Sequence, residues 1–294
     1  MKIVYSKTNP YDPRQFEQIG PHLFVPQAEW TIASEQERHR AIVKFYAERL
    51  KNPNVIFSGI SGAVMRGIPV LGEIPLGPRC CLNIKQGGIQ EMVKWRYTGK
   101  LPAYNLIDGV RVACVERVLV DLCLEFDSAS CLVALNHSLY TRQTTVRKLQ
   151  GYVEKHACLP GVRRLARLLP FANAKCESPL ETQGWRAVYQ GSLTLPCQQV
   201  EIRLPQDCRT RVARVDMCWS LRSGLLVVEL DGRVKYQTQD ALVNEKIRED
   251  GLRRLGCRVL RFLWEDVRSG KMVAQLRDAG VKKRRNMGRK IPGW

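Results

Sequence analysis

Long hydrophobic runs are missing from this sequence, and no apolar stretch approaches the ~18 residues that a membrane span requires. The first residues, Met1-Lys2-Ile3-Val4-Tyr5-Ser6-Lys7, carry charge with no apolar segment behind it, which argues against a secretory leader and for a cytoplasmic protein. Histidine is scarce. His22, His39, His137 and His156 are the whole set, none at metal-ligand spacing, so each reads as a surface or core side chain. No glycine-rich phosphate loop, GxSxG elbow, CxxC pair or internal repeat occurs, which removes P-loop, nucleophile-elbow and CxxC redox chemistry. The 11 cysteines are odd in number, and Cys114, Cys123, Cys218 and Cys257 lie inside apolar runs, as reduced core thiols would. Cys80-Cys81 has no evident base partner.

Acidic residues are also short. Across 294 residues 47 lysines and arginines face 28 acids, a formal charge of +19. Residues 1–170 hold 23 basic and 14 acidic residues, 171–281 hold 18 and 14, and the last segment adds six cations with no acid. That segment reads Lys282-Lys283-Arg284-Arg285-Asn286-Met287-Gly288-Arg289-Lys290 and has the composition of a disordered arm. So broad a basic field favours a polyanion through phosphate attraction and counterion release, the alternative being a solubilising surface. A membrane surface fits less well, because no basic amphipathic helix with aromatic anchors stands out.

The length predicts two domains. Residues 1–30 read as irregular, broken by Pro10, Pro13, Pro21 and Pro26, with one extended piece at His22–Val25. Helices are predicted from Ser34 to about Leu50, over Ser58–Arg66, Val115–Phe126 and Ala129–Tyr140, and after a Thr144 or Thr145 cap. Strands are expected near Cys81–Ile84, Val93–Tyr97 and Val110–Ala113. This is an α+β domain with no chemical signature of its own, closed by a basic helix near residues 163–174. After a boundary near residue 170 the order is cleaner: a helix from Ser178-Pro179-Leu180-Glu181, strands at Gln199–Leu204, Arg211–Trp219 and Leu225–Asp231, a helix from Asp240 to Leu255, a strand at Cys257–Leu263 and a helix over Glu265–Ala279. That is an α/β core, one sheet with helices on its faces.

Two successive strands carry the chemistry. Asp216 interrupts the apolar run Arg214–Trp219, and Glu229 and Asp231 end the run Leu225–Gly232 on one face, since side chains alternate along a strand. If Arg222-Ser223-Gly224 turns a hairpin, Asp216 lies beside Glu229 and three carboxylates converge. Buried carboxylates repel and desolvate badly, and a hard cation such as Mg²⁺ relieves them. The competing explanation is pairing with Arg214, Arg233, Arg248 or Arg261. Glu181 also has two readings, as the N3 partner of a capping box or as an acid reaching the same site, with Glu177 a weaker candidate. Trp185, Trp219 and Trp264 lie among apolar positions and read as core.

The stretch from Glu177 to Val267 resembles the Vsr-like endonuclease domains of the PD-(D/E)XK nuclease superfamily. The resemblance is carried by Ser178-Pro179-Leu180-Glu181, Arg214-Val215-Asp216, Val228-Glu229-Leu230-Asp231-Gly232, Glu245-Lys246-Ile247-Arg248 with Leu252, and Arg258-Val259-Leu260-Arg261-Phe262 before Asp266-Val267. It implies a restriction-endonuclease-like mixed sheet flanked by helices, with Asp216, Glu229 and Asp231 holding Mg or Mn for DNA hydrolysis and Glu181 reaching the site. Asp231 stands where the general motif has lysine. Lys235 stands where many relatives of this group have histidine, so it would hold a phosphate or the leaving oxyanion rather than a metal. Arg248 would orient a carboxylate or touch phosphate. Arg261, with Lys282, Lys283, Arg284 and Arg285, would contact the nucleic acid.

Residues from about Val55 to Leu149 resemble the C-terminal part of AbiEi-type antitoxins. The segments are Phe57-Ser58-Gly59-Ile60-Ser61-Gly62-Ala63 with Gly67-Ile68-Pro69, Val115-Glu116-Arg117-Val118-Leu119-Val120-Asp121-Leu122, and Ala134-Leu135-Asn136-His137-Ser138-Leu139. Such antitoxins begin with a winged helix, of which this sequence keeps a last strand near His22–Pro26. The expectation is therefore an antitoxin-like α+β domain over 1–170, with a protein partner of its own, a nuclease-like domain over 171–281 and a tail over 282–294. The function expected is a metal-dependent DNA endonuclease in repair or defence. The alternatives are a catalytically inactive DNA-binding regulator and a structural partner for another protein, and RNA is a less favoured substrate.

Overall fold

The computed structural model describes residues 1–6, 12–50, 54–82, 92–205, 211–232 and 239–284. The chain divides after Ala172 into two compact units, both mixed α/β. No helix among the described residues is long and apolar enough to cross a membrane.

The first unit opens on a sheet in which the extended piece expected at His22–Val25 is one strand of three, where the rest of residues 1–30 read as irregular. β1 (Val4–Tyr5), β2 (Phe16–Gly20) and β3 (Leu23–Pro26) form an antiparallel sheet in the order β1-β3-β2. The prolines spare it because Pro21 falls in the turn and Pro26 closes β3. α1 (Gln27–Ile32) and α2 (Glu35–Leu50) follow, and Trp30, Ile42, Val43 and Tyr46 join Leu23 and Val25 in one core. A second, mixed sheet has the order β6-β5-β4-β8-β7, from β4 (Ile56–Phe57), β5 (Arg79–Leu82), β6 (Lys94–Tyr97), β7 (Tyr104–Ile107) and β8 (Val110–Ala113). Sequence periodicity had missed β4 and β7, the first too short and the second mostly exposed.

α3 (Gly59–Met65) packs on this sheet and α4 (Val115–Glu125) packs on α3, while α5 (Ser128–Tyr140), α6 (Val146–Lys155) and α7 (Val162–Leu168) gather around α4. Asp127 caps α5 and Thr145 caps α6, each accepting a backbone N–H of the first turn. Gly161, at φ 89°, turns the chain into α7 where a Cβ would stand 2.4 Å from the Val120 carbonyl oxygen, a place for glycine alone.

The second unit runs α8 (Pro179–Gln190), β9 (Cys197–Arg203), β10 (Val212–Leu221), β11 (Gly224–Leu230), α9 (Gln239–Arg254), β12 (Arg258–Phe262), α10 (Trp264–Arg268) and α11 (Lys271–Asp278). Its sheet has the order β12-β11-β10-β9, antiparallel except for the parallel β11–β12 pair that α9 connects. Leu252 of α9 packs with Ala213, Val215 and Val227, while Gly184 of α8 lets Leu230 approach to where a Cβ would be 2.7 Å away.

Two expectations change here. The helix over Glu265–Ala279 is two helices, because Gly270 takes φ 80° between them. The segment from Lys282 to Arg284 is ordered rather than part of a disordered arm. Leu193 and Lys283 form a β-bridge, flanked by hydrogen bonds from Thr194 N–H to the Lys282 carbonyl (2.9 Å) and from Arg284 N–H to the Ser192 carbonyl (2.7 Å). Arg284 also lies over the Tyr189 ring at 4.2 Å. Arg285 and the rest of the tail lie outside the described residues.

Candidate active site

The β10–β11 hairpin turns at Arg222-Ser223 and pairs down to Met217↔Val228. One further step would set Asp216 opposite Glu229, but the regular ladder stops there. The Asp216 carboxylate accepts the Leu230 N–H at 2.8 Å in place of a strand carbonyl. On the other side of β10 the neighbour of Asp216 is Gln199, held at φ 53°, a left-handed conformation that costs a non-glycine residue about 1 kcal/mol or more. This kink brings the Gln199 amide to Glu181, donating to Oε2 at 2.8 Å.

Glu181 makes the contacts of a capping residue. Ser178 caps α8 by accepting the Glu181 N–H at 3.1 Å, and the Glu181 carboxylate accepts the Glu177 N–H at 3.0 Å. The same carboxylate is buried, 6% exposed, and faces the field of Asp216. Burial, with Asp216 adding to it, pushes the acid up to about 7 against the hydrogen bonds from Ser178 and Gln199. Asp216 is likewise raised by burial and by Asp231, while the Leu230 N–H, Arg248 and Arg214 pull it down. Asp216 thus acts on Glu181, and Asp231 on Asp216.

Glu229 is answered differently. It is buried, and Arg248 of α9 donates to its Oε1 at 2.9 Å while also reaching the Arg214 carbonyl at 3.4 Å. Asp231, 55% exposed, sits past the end of β11 with Arg261 at 3.8 Å. Arg261 also pairs with Glu249 at 3.1 Å, so its charge is engaged within the unit. Arg214 pairs with Glu177. Lys235 lies outside the described residues.

Among the described residues no group of three histidine, cysteine, aspartate or glutamate side chains is close enough to share a metal ion, so Asp216, Glu229 and Asp231 do not form a ready-made cage. The donor chemistry still suits a hard cation. Mg²⁺ is commonly bound by one or two carboxylates, with waters and substrate phosphates filling its other positions. Glu181 and Asp216, both raised by burial and the first raised further by the second, offer such carboxylates.

The first unit holds a polar cluster that sequence reasoning missed. Asp121 of α4, 2% exposed, is met by Arg117 Nε at 2.8 Å, Arg96 Nη1 at 3.2 Å and the Ser58 hydroxyl at 2.6 Å. Arg79 and Glu125 pair beside it at 3.2 Å. The signal was present as Arg117 and Asp121, four apart on one helix and flanked by apolar residues. Cys81 abuts Asp121 at 3.7 Å, and burial with that carboxylate pushes its thiol up to about 12; burial raises Cys80 as well, so neither is a thiolate nucleophile. Ten cysteines are described and all are free. His39 is wholly buried between the Pro75 carbonyl (2.6 Å) and the Ser61 hydroxyl (2.9 Å), as a core histidine.

No protein-family model matches this chain, and no curated protein does. Function therefore has to be argued from the residues themselves.

Proposed function

We propose that the second unit is a metal-dependent phosphodiesterase acting on DNA, and that its fold is of the restriction-endonuclease kind its sequence resembles. The observation that carries this reading is the buried Glu181 carboxylate, raised by burial and by the half-buried Asp216 where a hairpin ladder ends. The order helix, three antiparallel strands, helix, parallel strand supports it. Asp216 and Glu181 would be the two carboxylate ligands, with waters and substrate phosphate filling the other positions. Mg²⁺ or Mn²⁺ held there supplies Lewis acidity toward a phosphoryl oxygen and a more acidic water.

The chain's own residues do the rest. Gln199 and the Ser178 cap fix the Glu181 carboxylate toward Asp216, and Arg248 fixes Glu229, so the acids keep their places when a polyanion approaches. The excess of cations across the chain draws DNA in without selecting a sequence.

The test is cleavage of supercoiled plasmid and single-stranded DNA in Mg²⁺, Mn²⁺ or EDTA. Asp216→Ala, Glu229→Ala and the double change Glu229→Ala/Asp231→Ala should each abolish nicking while DNA is still retarded in a gel. Unchanged cleavage in these variants refutes the reading. A second reading, a DNA-binding regulator built on an inactive nuclease fold, draws on the Glu229–Arg248 pair, which neutralises one acid without any cation. Metal-independent retardation by wild type and variants alike, with no nicking, selects it.

A further inference from the structure

The first unit contains a cavity of about 960 Å³ that the proposed hydrolysis does not use. That volume is in the range of sites for small organic ligands, roughly 300–1,000 Å³. Its wall is strongly basic: Arg96, Lys100, Arg117, Lys148 and Lys155 line it against the single carboxylate of Glu116, which the Thr144 hydroxyl already engages at 2.6 Å. Lys148, Tyr152 and Lys155 stand at i, i+4 and i+7 on α6 and so share one helix face.

Two buried polar atoms on the wall have no hydrogen-bond partner among the described residues, Nη2 of Arg117 and Oγ1 of Thr98. The Arg117 side chain is only 4% exposed, held by Asp121 through Nε and hydrogen-bonded to the Tyr152 side chain. A third feature is Gly151, in mid-helix on the cavity wall. Glycine there costs about 1 kcal/mol against alanine, yet no protein atom lies within 4 Å of where a Cβ would stand. The missing side chain leaves room in the cavity and serves no internal contact.

The aromatic furniture narrows the ligand. Tyr152 and His156 stack with ring centroids 4.1 Å apart, offering a flat platform beside the apolar Leu101, Pro102 and Leu159. Flat bases stack on such platforms whatever their identity.

We propose that this cavity binds a nucleoside phosphate, its phosphate lying in the field of Lys100, Lys148 and Lys155 and its base against the Tyr152–His156 pair. The same chemistry is presented by a free nucleotide and by the phosphorylated end of a nucleic-acid strand. The proposal does not rest on the nuclease reading, since every residue in it belongs to the first unit.

The experiment is calorimetric titration of the full chain at 150 mM salt with ADP, adenosine, and tetranucleotides with and without a 5′-phosphate. Gly151→Leu fills the cavity from an exposed helical position and favours the helix. Lys148→Glu/Lys155→Glu reverses the rim. Arg222→Glu/Arg258→Glu is the charge-matched control in the other unit. Binding of ADP but not adenosine, weakened at least about tenfold by the first two variants and unmoved by the control, establishes the site with the free nucleotide as ligand. The same pattern for the 5′-phosphorylated tetranucleotide alone assigns it to strand ends. No binding of any probe, equal binding with and without phosphate, or binding indifferent to Gly151→Leu overturns the proposal.

Discussion

Replacing Glu181 by glutamine should stabilise the protein above neutral pH while removing its cleavage activity. The magnitude follows from where the acid sits. Its carboxyl titrates near 7 when folded against 4.5 for the free group, a gap of 2.5 units at about 1.4 kcal/mol each. The folded pKa is the higher one, so the favourable contribution of the neutral acid is complete below pH 4.5 and is lost as pH rises through 7. The loss amounts to about 3 kcal/mol by pH 8. Glutamine is nearly isosteric and keeps an oxygen for the Glu177 N–H, but carries no charge to desolvate or to repel Asp216. Urea unfolding, followed by the fluorescence of the buried Trp185 and Trp219, can be run in EDTA at pH 5, 6, 7 and 8. The variant's advantage should grow from under about 1 kcal/mol at pH 5 to about 2–3 kcal/mol at pH 8. A difference that does not change with pH, or a variant less stable at pH 8, refutes the argument and reduces Glu181 to a helix cap. Plasmid nicking by the same variant should disappear at every pH.

Arg248→Ala removes the guanidinium from the buried Glu229 carboxylate and should cost about 3 kcal/mol or more, whereas Arg248→Met with Glu229→Gln should recover most of it; equilibrium unfolding of the three proteins checks this. His39 is depressed to about 4, first by burial, with the Pro75 carbonyl opposing, so the unfolded chain takes up its proton near 6.5 while the folded one resists. Stability should therefore fall by about 3 kcal/mol as pH drops from 6.5 to 4, and His39→Asn should flatten that limb of the pH profile.

Local order was legible wherever a short-range signal specified it. Ser178-Pro179 opened α8 and the Thr145 cap opened α6 because a cap acts within one turn. Gly256, at φ 73°, closed the helix before β12, and Val110–Ala113 was readable to the residue as a strand. Of the N-terminal sheet only the strand at Leu23–Pro26 was legible, because prolines that break helices are harmless in a turn and at a strand end. The break at Gly270 was hidden by the continuous amphipathic pattern on either side of it.

What the sequence by itself determined was the succession of elements, the hairpin that carries Asp216 and Glu229, and the surplus of positive charge. The tertiary structure alone decided which charge meets which. Arg248 reaches Glu229 across 19 residues, Glu181 reaches Gln199 across 18, and Ser58 reaches Asp121 across 63. The physical reason is one of range. Propensity, capping and periodicity are settled within a turn or a strand pair, whereas the ionisation of a buried acid depends on desolvation and on the charges packing brings beside it. The pattern of Glu181 is that of an ordinary capping residue; its burial against Asp216 makes it an acid that titrates near neutrality.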